Sequence, residues 1–282
     1  MQSAIYYKTK RVTINAAIHL FLISVAATCL FPLLWMISSS LKTQETVFKD
    51  MSLLPKQFHF ENYYHAWIQG GFGRYFLNSI FYTVAVVLGI IIVSSLAAYA
   101  FSRFKFPGKN LLFFAFLAAM MIPVPGSFVP LYVLLNKLHL RDTALGYILC
   151  MINVGLSMSI FLLKTFFDKM PQELEDAARI DGCSKLGIWW HVALPLAKPV
   201  LAVVVVFNAL NVWNEYILAL IIFDSRHLMP LQVALTTFQG EFITQYPLLM
   251  AGLTIAALPI ILVYIAMQKY IIKGVTQGAV VG

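Results

Sequence analysis

The residue types most able to do chemistry in this sequence gather in one apolar run. Asn208, Asn211 and Glu215 recur at i, i+3 and i+7, with Trp213, Asn214 and Tyr216 beside them, so a helix would carry the first three on one face. Amides and a carboxylate can hydrogen-bond hydroxyl groups, and an indole or phenol can stack on the apolar face of a solute. The same groups can equally bond neighbouring helices to one another. Bond-cutting chemistry has no comparable support. HExxH, GxSxG and GxxxxGK[ST] do not occur, and these are the patterns that supply a metal site, an activated serine and a phosphate cradle. The glycine-rich stretch "GGFGRYF" (70–76) lacks the Lys-Ser/Thr pair and reads as a flexible loop. The six histidines form no HxH or HxxxH pair, and Cys29, Cys150 and Cys183 form no CxxC, so neither a metal centre nor a disulfide framework is implied. His19, alone in an apolar run, reads as a packed polar residue.

These side chains must be positioned by a chain that is 60% hydrophobic and 11% charged over 282 residues. So little polar surface cannot cover a water-soluble core of that size. Charge-free runs approach the roughly 20 residues a helix needs to cross about 30 Å of hydrocarbon. They predict six spanning helices at about 14–37, 79–101, 111–135, 144–164, 200–223 and 248–268. Continuous apolar runs suit helices, which satisfy their own backbone, whereas barrel strands alternate. The expected fold class is an all-α integral membrane protein, a single domain over residues 1–282 with no internal repeat.

Three of the runs carry irregularities. Pro32 predicts a kink in the first. The third contains "MIPVPGSFVP", whose prolines and glycine remove helix hydrogen bonds. It is either a span with an unwound outer half or a helix end followed by a short surface helix. The fifth carries Glu215, which costs roughly 2.5 to 3.5 kcal/mol at bilayer depth and must face protein or water.

Thirteen of the twenty Lys and Arg residues fall on one side of such a topology. The positive-inside rule then puts both termini and the loop 165–199 in the cytoplasm of a cell-membrane protein. The first run is about twice the length of a signal-peptide core and reads as a retained helix. A net charge of +8 is accounted for by anionic inner-leaflet lipid, without any nucleic acid.

The loop holds the most polar stretch of the second half, "ELEDAARIDGCSKLGIWWHVALPLAKP". Pro171 suits a first helical position, and Glu173, Glu175 and Asp176 place negative charge where the macrodipole favours it. Leu174, Ala177, Ala178 and Asp181 share a face with two very small residues. Gly182 can end that helix in the left-handed region, and Ser184 can cap a second one with Leu186, Trp190 and Ala193 as its apolar stripe before Pro195 breaks it. The prediction is an exposed two-helix elbow, a shape suited to docking.

"DAARIDG" followed nine residues later by "VALP" resembles the EAA motif of permease subunits in binding-protein-dependent ABC importers. Asp176 stands where that motif has Glu and Val192 where it has Ile. "SRFKFPGK", "WNEY" and "MQKYIIKGVTQGAVVG" are similar to the carbohydrate-uptake branch, in particular the maltose-type second permease subunit. Val281 replaces a Lys of its common ending. The resemblance implies a type I importer permease fold and a coupling role for the elbow. Glu175, Asp176, Ala177, Ala178, Asp181 and Gly182 would form the knob that meets an ATPase, and Leu194 and Pro195 the joint to the fifth span. Asn208, Asn211, Trp213, Asn214, Glu215 and Tyr216 would line the pathway of a sugar-like solute. The implied partners are a second permease in a heterodimer, two ATPase subunits that hold ATP and magnesium, and an extracytoplasmic solute-binding protein. This chain itself would bind no cofactor and catalyse no reaction. A proton-coupled secondary carrier is the alternative.

Overall fold

The computed structural model describes residues 2–68, 71–121, 124–239 and 244–279, and the elements among them are helical apart from one isolated bridge between Gln239 and Thr244. In chain order the helices are α1 (Gln2–Ser40), α2 (Glu61–Ile68), α3 (Phe72–Arg103), α4 (Lys109–Ala119), α5 (Phe128–Lys137) and α6 (Ala144–Lys169). Then come α7 (Glu173–Ile180), α8 (Lys185–Ile188), α9 (Leu194–Leu196), α10 (Lys198–Trp213), α11 (Ile217–Ile222), α12 (Leu231–Ala234) and α13 (Tyr246–Ala279). The chain divides into two units, one drawn from residues 1–70 and 237–255 and the other from 71–236 and 256–282.

In the first unit, the part of α1 from Ile14 onward is long and apolar, and all of residues 14–34 are exposed. His19 is exposed as well, its Nδ1 set 2.7 Å from the Asn15 carbonyl of the same helix, so it is not packed as expected. The expected irregularity at Pro32 does not interrupt the helix. Its C-terminal end is closed from the start of α2, because helix-end carbonyls need outside donors. Asn62 donates to the carbonyls of Ser40 and Lys42 at 2.8 and 2.9 Å. The buried Lys42 ammonium donates to the carbonyls of Asp50 and Ser52 and lies 5.1 Å from the Trp35 ring.

The second unit is built on α3 and α6, packed along their length, with α10 against both. Their shared core includes Val86, Ile90, Ala98, Met151, Ile160, Leu163 and Val204. Within the bilayer the hydrophobic effect does not drive helices together, so close packing and interhelical hydrogen bonds must. Gly155 meets that need: a Cβ there would run into the Asn208 amide and the end of the Ile90 side chain, so any larger residue would have to displace them. Beyond this point Tyr82, Tyr147 and Phe223 form a ring cluster with centroids 4.8 to 5.7 Å apart.

Four of the described helices are long and apolar enough to cross a membrane: Ile14–Ser40, Phe72–Arg103, Ala144–Lys169 and Tyr246–Lys269. The third and fifth expected spans are not continuous. In the third, α4 and α5 are separate helices of 11 and 10 residues joined through a 3-10 turn at Val124–Ser127. Each reaches only about 15 Å. Ile122 and Pro123 of the proline-rich stretch lie outside the described residues. The fifth breaks after Trp213 and resumes at Ile217. At this break the Glu215 side chain takes the place of a backbone acceptor, as polar residues do when they compete with a helix ladder, while the Asn214 side chain doubles a bond its own backbone N–H still makes to Leu210 at 3.1 Å. The Asn214 amide donates to the Leu210 carbonyl at 2.9 Å, and the Glu215 carboxylate accepts the Leu218 N–H at 2.6 Å.

Candidate functional site: an exposed elbow and a polar stripe

The elbow folds from its own sequence. Gln172 accepts the first N–H groups of α7, from Glu175 and Asp176 at 3.0 Å each. The helix therefore starts at Glu173, and Pro171 lies ahead of it instead of at its first position. Its end is a Schellman closure. The Cys183 N–H reaches the Ala178 carbonyl at 3.0 Å, the Gly182 N–H reaches Arg179 at 3.1 Å, and Gly182 has φ of +84°. The next helix is capped as its sequence predicts, with Ser184 Oγ accepting the Gly187 N–H at 3.1 Å.

The expected apolar stripe of that second helix is different. Ile188, Trp189 and Ala193 turn inward, while Leu186 and Trp190 are exposed. Pro195 does not break it. A π-turn at Trp189–Ala193, in which the Leu194 N–H reaches back to Trp189, precedes the proline. Such a turn has a wider bonding register than the regular helix, and this one leads the chain into α9 with Pro195 in its first turn. The joint to α10 falls instead at Ala197, where the paths of Lys185–Leu196 and Lys198–Trp213 bend by 78°.

Of the eight residues expected in the coupling knob and its joint, the structure divides the first six between two faces of α7 and its cap. Asp176, Ala177, Asp181 and Gly182 face outward, together with Leu174 and Ile180, the latter 87% exposed. Asp176 pairs with Arg179 at 2.9 Å. Glu175 and Ala178 face the bundle, and Glu175 is only 3% exposed. Glu175 is therefore not on the knob's surface, and Leu194 and Pro195 lie before the bend.

The polar stripe is also divided. Asn208 is 1% exposed and donates to Ser159 Oγ at 3.0 Å and to the Val204 carbonyl at 2.8 Å, so it joins α10 to α6 and lines no open surface. Trp213 is 5% exposed, donates to the Ala256 carbonyl at 3.0 Å and meets Phe76 edge-on, which leaves its ring no free face for a solute. Asn211, Asn214 and Tyr216 are exposed, and the Gln232 amide donates to Asn214 Oδ1 at 3.4 Å. Glu215 is half-buried and caps α11.

Three features escaped the sequence reading. One is the grip of Arg103 on the elbow: its Nε pairs with Glu175 Oε1, and its Nη2 donates to the Met170 carbonyl at 2.7 Å. Tyr99 donates to the other Glu175 oxygen at 3.2 Å. Another is a clasp at the far end of α6. Asp142, at φ +54°, accepts the N–H groups of Asp224 and Ser225 and the Ser225 hydroxyl at 2.7 to 3.0 Å. The Ser225 hydroxyl and N–H hold the Asp142 carboxyl below the usual carboxylate range. The third is Gln232. Partners separated by 72 and 83 residues leave no local signal, although "NVWNEY" is visibly rich in helix-ending residues.

Long apolar helices, two broken ones and an exposed polar elbow define a polytopic helical membrane protein. Residues 85–277 match the family described as binding-protein-dependent transport system inner membrane component, and the chain belongs to that family. It is 35% identical over 263 residues, 93% of this chain and 86% of the relative, to the probable ABC transporter permease protein YurM of Bacillus subtilis (strain 168). It is 31% identical over 262 residues to the diacetylchitobiose uptake system permease protein NgcG of Streptomyces coelicolor (strain ATCC BAA-471 / A3(2) / M145), covering 92% of this chain and 87% of that one. Among solved structures, a chain of a bacterial ABC transporter involved in the import of the acidic polysaccharide alginate is similar, with a TM-score of 0.81 and 26% identity over 92% of this chain and 96% of that one.

Proposed function

We propose that this chain is the membrane-spanning permease subunit of an ATP-driven importer for a sugar or sugar-like solute in the cell membrane. The observation that carries the reading is the elbow. It is ordered by its own caps, yet presents Leu174, Ala177, Ile180, Leu186 and Trp190 to the outside. Exposed apolar residues on a polar, ordered projection are suited to a protein partner. In this family that partner is an ATPase subunit. A second permease would complete the pathway in a heterodimer, two ATPase subunits would hold ATP and magnesium, and an extracytoplasmic binding protein would deliver the solute. The carbohydrate class is supported by relatives whose names specify diacetylchitobiose and alginate.

In this reading α4 with α5 forms the third span and α10 with α11 the fifth, giving six spans with both termini cytoplasmic. Asn211, Asn214 and Tyr216 line the solute route. A proton-coupled carrier would use Glu215 as its titrating group, but that carboxylate is engaged in capping α11. The test is reconstitution of the chain with its expected partners in proteoliposomes. Uptake should need ATP and the binding protein and survive a protonophore. Uptake that survives ATP removal and is abolished by the protonophore would establish the carrier instead.

A further inference from the structure

We infer that Arg103, Glu175 and Tyr99 lock α7 to α3, so that α3 is the rod carrying elbow motion to the far end of its unit. This rests on the coupling role proposed above. It assigns positioning residues that act through the elbow without touching an ATPase.

The lock is three-pointed. Arg103 binds the Glu175 carboxylate through Nε and the Met170 carbonyl, at the entrance to the elbow, through Nη2. One planar guanidinium thus holds both the side chain of α7 and the backbone leading into it. Tyr99, one turn earlier on α3, binds the second carboxylate oxygen. Lys185 of α8 adds a contact 4.9 Å from the Phe104 ring, at the cap of α3. Glu175 and Tyr99 are buried and Arg103 is mostly covered. Parting α7 from α3 would leave a charge without its partner in a poorly solvated place, so the two elements gain by moving together.

The other end of α3 is fastened as firmly. Asn78 donates to the carbonyls of His227 and Met229 at 2.9 Å each, Tyr82 donates to Leu228 at 2.7 Å, and Ser79 accepts the Leu231 N–H at 2.8 Å. That segment leads directly to Gln232 and its bond to Asn214. A 32-residue helix spanning about 48 Å is therefore tied at one end to the elbow and at the other to the segment beside the polar stripe.

The test uses the complete complex in proteoliposomes and reads solute imported per ATP hydrolysed. Glu175→Gln leaves Arg103 without its counter-charge and should lower that ratio about fivefold or more, the range of an ordinary coupling energy. The double variant Arg103→Leu/Glu175→Leu removes both charges. It should recover thermal stability and assembly with the ATPase while the ratio stays low, which a purely structural role would not produce. A wild-type ratio in the assembled double variant overturns the inference, and that variant carries the test if Glu175→Gln does not fold. If wild type shows no ATP-driven uptake, the proposed function itself fails and the lock with it. If Gly182→Asp uncouples uptake but the double variant does not, the lock alone is wrong.

Discussion

Asn208 and Asn211 lie one turn apart on α10 and do different jobs. Asn208 bonds Ser159 inside the packed unit, and Asn211 is exposed. Interhelical bonds of this kind contribute about 0.6 to 2 kcal/mol in membranes. Asn208→Leu should therefore lower the melting temperature of the purified complex and leave the concentration dependence of uptake unchanged. Asn211→Leu should do the reverse, raising the KM for solute while the melting temperature holds. Identical effects of the two substitutions on KM would remove the division of the stripe. Gly155→Val should cost about 1 to 3 kcal/mol by overpacking, because its side chain would have to displace both Asn208 and Ile90. Differential scanning of the detergent-solubilised complex measures this directly.

At the scale of elements, the elbow and the far clasp show what a sequence can announce and what it cannot. Gly182, Ser184 and the acidic first turn of α7 were legible because caps are local, each decided within about six consecutive residues. The inward turn of Glu175 was not, because it depends on Arg103, 72 residues away. The fifth run read as one helix since hydropathy averages over a window, whereas its break goes with one polar side chain, Glu215, redirecting a single hydrogen bond. Gly182→Asp should uncouple ATP hydrolysis from uptake while insertion stays normal. Nothing stands within 4 Å of a Cβ at that site, so the added side chain changes the elbow's outer surface and strains its turn without a clash. Normal uptake in that variant would mean the elbow meets no ATPase there.

The clasp gives a pH dependence of defined sign. Asp142 is held below its unfolded value of 3.8, so its stabilisation is complete above that value and is lost as pH falls through the lower, folded pKa. The protection of the Asp224 and Ser225 amides, measured against their intrinsic exchange rate at each pH, should fall on acidification below about pH 4. Asp142→Ala should give that loss of protection already at neutral pH. Protection unchanged by the substitution would show that the carboxylate does not hold this loop.

For the whole molecule, the class was readable from composition and the family from the spacing of "DAARIDG" and "VALP", because both are carried by stretches of chain instead of distant contacts. The count of spans depends on joining α4 to α5 and α10 to α11. Epitope tags near residue 2 and near residue 279 should both be accessible only from the cytoplasm, and a tag on either side of α5 and α6 at Arg141 only from outside. A C-terminal tag found outside would mean an odd number of crossings. The stretch 70–76, expected as a flexible loop, is instead the start of α3: Gly71 caps the helix at φ +62° and residues 72–76 form its first turn, while Gly70 and the ending around Val281 lie outside the described residues.

One more consequence comes from α1. Its residues 14–34 are all exposed, and the family match begins only at residue 85. That helix has Lys8, Lys10 and Arg11 before its apolar part, which suits it to fix which way the polypeptide threads into the bilayer. A helix with that task needs length, oiliness and flanking charge rather than a specific sequence. Exchanging 14–34 for an unrelated stretch of equal length and hydropathy should leave the remaining topology intact, whereas moving its basic residues to the other flank should send the newborn chain in backwards.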